Sequence, residues 1–289
     1  MKLEGREGSD NIEDRRGSRG GGRRMGLPMG GVGGIVLVLV LSFVTGRNPL
    51  QLLGEMGGLD GGGLSTEPAS EPDAAGAPVN DAASIFIARV LRSTEEAWGQ
   101  VFAQSRQRYQ APVLVLFSEQ TQSACGLGES AMGPFYCPGD RKVYLDTAFF
   151  DELDQRFGAP GDFAQAYVVA HEVGHHIQTL TGLSEKVGTA RRQVDQATGN
   201  QLSVRQELQA DCFAGIWGSF AAREGLLDPG DVEEGLKAAT AIGDDTLQRQ
   251  SQGRVVPESF THGSSAQRVE WFRRGLDQGR VDACDTFAP

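Results

Sequence analysis

The sequence predicts an α+β fold, mostly helical with a small antiparallel sheet. Short apolar, β-branched segments come early, at residues 112–117 and 142–145, whereas helical spacing of apolar residues dominates after residue 147. Pro138-Gly139-Asp140 separates Phe135–Cys137 from the second of these segments, which indicates a hairpin. Because strands come first and helices follow, we expect one α+β domain rather than alternating units.

The N-terminal part predicts a membrane anchor. Residues 1–24 are polar and glycine-rich, so we expect them to be disordered. Residues 25–46 carry no charge, and as a helix they would extend about 33 Å, enough to cross a hydrocarbon core of about 30 Å. A cleaved signal peptide is the alternative, but no A-x-A-like site follows the apolar run. We therefore predict one transmembrane helix over residues 25–46.

Flanking charge predicts the orientation of this helix. Only Arg47 follows the apolar run closely, whereas five arginines precede it: Arg15, Arg16, Arg19, Arg23 and Arg24. This asymmetry predicts a single-pass protein of the cell membrane with a cytoplasmic N-terminus and an exported C-terminal domain. Residues 47–80 are rich in Gly, Pro, Ser and Ala and predict a flexible linker, which leaves residues 81–289 as the folded domain.

Net charge excludes one class of partner. The chain has a formal charge of −11, and residues 1–46 carry seven basic and five acidic side chains, so residues 47–289 hold −13. A body this acidic repels phosphate backbones, so we expect no binding to nucleic acid.

The folded domain begins with a predicted helix. Apolar residues recur at helical spacing over residues 81–109, behind Asp81 or Ser84 as a capping residue. After the predicted strands, the same spacing predicts helices over about 147–157, 162–182, 201–224, 229–249 and 264–278.

The helix predicted over residues 162–182 contains the motif His171-Glu172-Val173-Gly174-His175. At about 100° per residue, His171 and His175 share one face, where two imidazoles can reach one metal ion. Glu172 lies beside them and can take a proton from a water molecule bound to that metal. The motif therefore predicts a zinc site with a general base.

A third ligand is predicted on the helix over residues 201–224. Glu207 and Asp211 are four residues apart and share a face. The Glu207 carboxylate can bind the metal, while Asp211 accepts the second ring N–H of a histidine ligand. An ordinary solvated acidic face is the alternative, but the apolar run Cys212–Trp217 argues against it.

His262 lies just before the predicted final helix. There it could donate a hydrogen bond to a developing oxyanion, or it could simply cap the helix.

These residues together resemble a bacterial family of neutral zinc metallopeptidases, which are single-pass membrane proteins of the zincin type. Further matching segments are Arg6–Gly17, Cys125-Gly126, Phe135–Pro138, Val143–Asp146 and Thr261–Gly263. The resemblance implies a zincin-like domain that binds one Zn²⁺ per chain and hydrolyses a peptide or protein substrate. It assigns the metal to His171, His175 and Glu207, the base to Glu172 and the supporting acid to Asp211. It places His262 near the substrate carbonyl.

Two functions remain open from the sequence. The first is a membrane-anchored zinc endopeptidase, which could hold an extended peptide along an edge strand near Val143–Leu145. The second is a non-catalytic, zinc-stabilised scaffold or binding module of the cell envelope. A scaffold has no use for a base such as Glu172, and a closed zinc site would need a fourth ligand such as His262 or Cys212.

The four cysteines predict two disulfides if the domain is exported. Cys125 and Cys137 flank a short loop, which leaves Cys212 to pair with Cys284 near the C-terminus. Two other connectivities stay open, Cys125–Cys212 with Cys137–Cys284 and Cys125–Cys284 with Cys137–Cys212. Cys212 as a free, buried thiol is a further alternative.

Overall fold

A four-stranded mixed sheet forms one side of the computed structural model, which describes residues 1–16 and 81–288. The strands are β1 (Ile12–Asp14), β2 (Val113–Phe117), β5 (Phe135–Cys137) and β6 (Lys142–Asp146), in the spatial order β1-β2-β6-β5. The β5–β6 hairpin is antiparallel as predicted, but β1, β2 and β6 run parallel. An antiparallel sheet was the wrong expectation here, because the long excursion between β2 and β6 permits a parallel crossover. A separate antiparallel pair, β3 (Gln120–Ser123) and β4 (Gly126–Glu129), occupies part of that excursion.

Eight α-helices make up most of the described residues, which confirms a mostly helical α+β fold. They are α1 (Ala82–Gln104), α2 (Ala148–Gln155), α3 (Asp162–Leu180), α4 (Leu183–Arg191), α5 (Gln196–Arg223), α6 (Asp231–Ala241), α7 (Asp244–Gln252) and α8 (Ser265–Gln278). Short 3₁₀ turns cover Ser130–Met132, Pro257–Ser259 and Val281–Cys284.

The helix expected over residues 229–249 is in fact two helices, α6 and α7, with a break at Gly243. A Cβ atom on Gly243 would lie 2.4 Å from the backbone nitrogen of Ser265, so only glycine allows this close approach. Helix α5 starts earlier than predicted, because Asp195 accepts a hydrogen bond from the Thr198 N–H and caps it. Helix α4 was not predicted.

The core lies where α3 and α5 pack against each other, with α8 against α5 and α6, and α3 also contacts β5 and β6. The Phe163 ring stacks on Trp217 with centroids 5.5 Å apart, and the Trp217 indole donates a hydrogen bond to the Ser93 hydroxyl of α1. Phe272 of α8 is completely buried in the same cluster. The metal-binding motif predicted on α3 is therefore carried by the most buried helix of the domain.

Residues 1–16 belong to the folded unit, so the disorder predicted for residues 1–24 is wrong for this part. Strand β1 pairs with β2, and Leu3 is buried in the main core. The Met1 amino group lies 2.5 Å from the Asp162 carboxylate at the start of α3. The polar composition of this segment predicted disorder, because few apolar side chains are available for burial. The segment is ordered because hydrogen bonds and ion pairs hold most of it in place. Residues 17–24 lie outside the described residues.

The pairing of β1 with β2 joins the N-terminal residues to the domain. Strand β1 shares backbone hydrogen bonds with β2, so residues 1–16 and 81–288 belong to one folded unit. The predicted cytoplasmic N-terminus and exported domain would divide this unit across the membrane. The predicted transmembrane helix (25–46) and linker (47–80) lie outside the described residues. No helix within the described ranges is long and apolar enough to cross a membrane.

Both predicted disulfides are present. Cys125 is bonded to Cys137, and Cys212 is bonded to Cys284, so the other two connectivities and a free Cys212 thiol are excluded. The first joins the turn between β3 and β4 to the end of β5, and the second ties the C-terminal 3₁₀ turn to α5.

Candidate metal centre

Three side chains from two helices converge where α3 crosses α5. The Nε2 atoms of His171 and His175 lie 3.2 and 3.3 Å from the same carboxylate oxygen, Oε2 of Glu207. One ligand atom from each of these residues lies within 4.8 Å of the others. The structure thus brings the three predicted metal ligands together.

Gly174 permits this close crossing. A Cβ atom at Gly174 would lie 2.9 Å from the carbonyl oxygen of Ala210 and 3.0 Å from its Cα, both backbone atoms of α5. A side chain there would force the helices apart and draw Glu207 away from the histidines. The glycine inside the histidine motif therefore has a packing role.

Asp211 holds His171 as predicted. Its Oδ1 lies 2.8 Å from His171 Nδ1 and accepts a hydrogen bond from the Tyr167 hydroxyl. Arg268 of α8 donates to both Asp211 oxygens, at 2.9 and 3.0 Å. Burial raises the pKa of Asp211, but the charges of Arg268 and His171 outweigh it and lower that pKa to about 2. Asp211 is therefore a charged acceptor for His171 Nδ1, and it leaves His171 Nε2 directed at Glu207.

The electrostatics of the cluster favour a cation. Burial lowers the pKa of His171, but the charge of Asp211 and hydrogen bonds to Asp211 and Glu207 raise it to about 10. Burial also lowers the pKa of His175, and the Glu207 charge reverses this effect. The carboxylates thus stabilise positive charge between the rings, as a metal site requires.

The donor set fits zinc. Two donors that are each about 2.0–2.1 Å from one tetrahedral zinc ion lie about 3.4 Å apart. The separations from Glu207 to His171 and His175, 3.2 and 3.3 Å, match this value. Two imidazoles and one carboxylate also leave one coordination position for water or substrate, as in hydrolytic zinc sites.

Glu172 lines the same cavity as the three ligands. The cavity has a volume of about 820 Å³, and Glu172 is 7% exposed at its wall. A carboxylate here can exchange a proton with a water molecule at the open position. His176, by contrast, faces away from the ligands and contacts the Gln110 carbonyl and the Tyr136 hydroxyl.

His262 lies on the wall of this cavity, oriented by Asp244. One Asp244 oxygen accepts hydrogen bonds from the backbone N–H groups of Thr261, His262 and Gly263, and the other lies 3.2 Å from His262 Nδ1. The hydrogen bond to Asp244 raises the pKa of His262, an effect that burial opposes. This loop geometry holds His262 at the cavity wall, outside the group of three ligands.

A family described as "Putative neutral zinc metallopeptidase" matches residues 1–287. The chain belongs to this family. Family membership supports zinc and a peptidase at the level of the family description.

The relatives carry no assigned function. The chain is 49% identical over 293 residues to "Uncharacterized protein YpfJ" of Escherichia coli, and the match covers 99% of both proteins. It is 45% identical over 192 residues to "Uncharacterized protein Rv2575" of Mycobacterium tuberculosis, which covers 62% of this chain and 64% of that protein. No solved structure matches the chain.

The peptide-binding edge expected near Val143–Leu145 is misplaced. These residues belong to β6, which lies between β2 and β5. The free edge next to the cavity is β5, and Phe135 and Tyr136 line the cavity. The prediction failed because strand order cannot be derived from the strand pattern alone.

Sequence reasoning gave no role to Arg268, Tyr167, Asp244 or Gln178, although all four contact site residues. One signal was available for Arg268. It lies four residues before Phe272 and seven before Gly275, both buried, so it occupies the apolar stripe of α8, where a charged residue needs a partner.

Proposed function

We propose that this protein is a zinc-dependent endopeptidase. The observation that carries the proposal is the convergence of His171, His175 and Glu207 on one point of an open cavity, with Glu172 at the same wall. Zinc bound by these three residues would polarise a substrate carbonyl and lower the pKa of a coordinated water.

The residues around this point supply the remaining chemistry. Glu172 accepts the proton of the attacking water and delivers it to the leaving amine. Asp211 and Arg268 keep His171 in one tautomer. The free edge of β5 can pair with an extended peptide by β-augmentation, so that a backbone carbonyl is presented to the cavity.

His262 is proposed as the donor to the developing oxyanion. We expect His262→Ala to lower kcat by about 10²–10³-fold, the usual effect of losing one such donor, with the zinc content unchanged. Activity assays alongside metal analysis of the same preparations test this role. A parallel loss of zinc would instead make His262 a metal ligand.

A zinc-stabilised scaffold has less support. A closed site needs a fourth protein ligand, but the Cys212 sulfur is committed to a disulfide and His262 is outside the ligand group. An adjacent general base in an open cavity serves hydrolysis and has no structural function.

The proposal includes the compartment. We place the domain and its N-terminal strand together outside the cytoplasm, at the cell membrane, with residues 25–46 in contact with the lipid bilayer. Two disulfides support an oxidising compartment. Peptides or proteins are the proposed substrates, and the acidic body argues against nucleic acid.

The decisive experiment compares Glu172→Gln with wild type in a peptide-library digest, with zinc measured in both. We expect Glu172→Gln to keep zinc but to lose at least about 10²-fold in hydrolysis, the scale of general-base loss. Glu207→Ala should weaken zinc binding, and Glu185→Gln, an exposed carboxylate on α4, is the matched control. Equal digestion by wild type and Glu172→Gln would reject the peptidase.

A further inference from the structure

The second ring nitrogen of His175 begins a chain of amide hydrogen bonds. His175 Nδ1 lies 2.9 Å from Gln178 Oε1, and Gln178 is completely buried. The Gln178 amide nitrogen donates to the Gln206 carbonyl at 2.7 Å and to Gln209 Oε1 at 3.2 Å. The Gln209 amide nitrogen donates in turn to the backbone carbonyl of Cys284 at 3.0 Å.

The backbone carbonyls that accept these hydrogen bonds fix the orientation of both glutamine amides. The carbonyls of Gln206 and Cys284 can only accept, so each glutamine must present its NH₂ group to them and its oxygen to the other side. Gln178 Oε1 therefore faces His175 and requires a proton on Nδ1. That tautomer leaves Nε2 unprotonated and directed at Glu207, 3.3 Å away, as a metal ligand must be.

The far end of the chain is covalently anchored. Cys284 is completely buried and bonded to Cys212, which follows Asp211 directly on α5. The same disulfide thus lies next to the residue that orients His171 and provides the carbonyl at the end of the chain from His175.

We propose that Gln178 and Gln209 are positioning residues that hold His175 in the metal-binding tautomer, with the Cys284 carbonyl as their anchor. The proposal rests on the zinc site of the proposed function. Neither glutamine lines the cavity.

The test is the zinc dissociation constant of the full chain, measured by competition with a chelator. Gln178→Met removes the acceptor for His175 at similar side-chain length, and we expect zinc binding to weaken about 10–100-fold, as for other partners of metal ligands. Gln209→Met acts one hydrogen bond further away and should weaken binding less. Gln165→Met is the matched control, because Gln165 lies on the same helix and makes no side-chain hydrogen bond within the described residues.

A second readout separates positioning from general stability. The ¹⁵N spectrum of labelled histidine is recorded with zinc removed from all three proteins. It should show His175 as the Nδ1–H tautomer in wild type and Gln165→Met, and as a mixture of tautomers in Gln178→Met. If both glutamine variants bind zinc within twofold of wild type, or if the tautomer of His175 is unchanged, the positioning role of the two glutamines is rejected while the zinc site stands. If wild type and Glu207→Ala bind zinc equally, the metal site itself is rejected, and the positioning role of the two glutamines is rejected with it.

Discussion

Asp211 is a carboxylate at the metal centre that is held by three side chains. It is completely buried and accepts hydrogen bonds from Tyr167, His171 and Arg268. A buried carboxylate is tolerated only when its charge is compensated. Arg268 supplies that charge, so its contribution should be visible in folding as well as in metal binding.

We expect Arg268→Met to lower the free energy of unfolding by about 3–5 kcal/mol, because it leaves the Asp211 charge buried and unpaired. Urea titration of the zinc-free protein measures this loss. Arg274→Met is the control on the same helix, since Arg274 forms an exposed pair with Glu270 that should contribute less than about 1 kcal/mol. Equal losses in the two variants would show that Arg268 does not compensate Asp211.

The proposed metal ligands and the proposed base were the predictable part of the site. Two histidines four apart with a glutamate between them specify a metal and a base by helical geometry alone, and the acidic pair Glu207 and Asp211 stands out at the start of an apolar run. Asp244 could not be predicted, because its role depends on a helix break and on a loop about 18 residues later. Such contacts have no local pattern in the sequence.

At the scale of elements, the site depends on how closely α3 and α5 cross. Gly174 on one helix faces the Ala210 backbone on the other, and Glu207 lies less than one turn from this contact. The separation of the helices therefore sets the distance between the histidines and their third ligand.

Gly174→Ala should separate these helices. The added Cβ meets backbone atoms at 2.9–3.0 Å, so we expect a net loss of about 1–3 kcal/mol in unfolding free energy, together with weaker zinc binding. Gly188→Ala on α4 is the control, because the atom nearest to its Cβ is 3.8 Å away and belongs to a flexible arginine. That substitution should be neutral or stabilising, since alanine favours helix. Unchanged zinc affinity in Gly174→Ala would contradict the packing role.

The elements that were not predicted contain few apolar residues in a regular pattern. Strand β1 is three residues long and has one apolar side chain, Ile12, so neither length nor alternation identifies it. Helix α4 is mostly polar, and the break at Gly243 depends on the approach of Ser265. The longer apolar elements, by contrast, were close to their predicted bounds.

At the scale of the whole molecule, Arg16 fastens the N-terminal strand to the domain. Its guanidinium binds the carboxylates of Asp14 and Asp81, the residue that caps α1. Burial raises the pKa of Asp14, but hydrogen bonds from Arg16 lower it below its usual value. The hydrogen bond from Arg16 also lowers the pKa of Asp81.

These depressed pKa values predict a pH dependence. Because both carboxyls are more acidic in the folded state, their pairing with Arg16 stabilises the protein fully above about pH 4 and is lost as the pH falls further. The difference in unfolding free energy between wild type and Arg16→Gln should therefore be larger at pH 6.5 than at pH 3. Arg156→Gln, from an exposed pair with Glu152 on α2, is the control. A difference that is independent of pH would show that Arg16 does not stabilise the protein by pairing with Asp14 and Asp81.

The shared fold of residues 1–16 and 81–288 predicts a shared compartment. Cysteines introduced at the exposed positions Glu7 and Glu258 should react from the same side of the membrane with a maleimide that cannot cross it. Labelling of intact and permeabilised cells makes the comparison. Reaction from opposite sides would mean that β1 does not pair with β2 in the cell.

The Cys212–Cys284 bond closes a ring of the main chain that contains α6, α7, the His262 loop and α8. Within this ring, residues 251–255 are exposed and offer a site for proteolytic nicking. A single cut there leaves Asp244 and His262 on different pieces, but each piece stays covalently joined to the other through the disulfide. A protein that is nicked there would therefore keep both parts of its cavity wall in one molecule, and reduction of the disulfide would be needed to separate them.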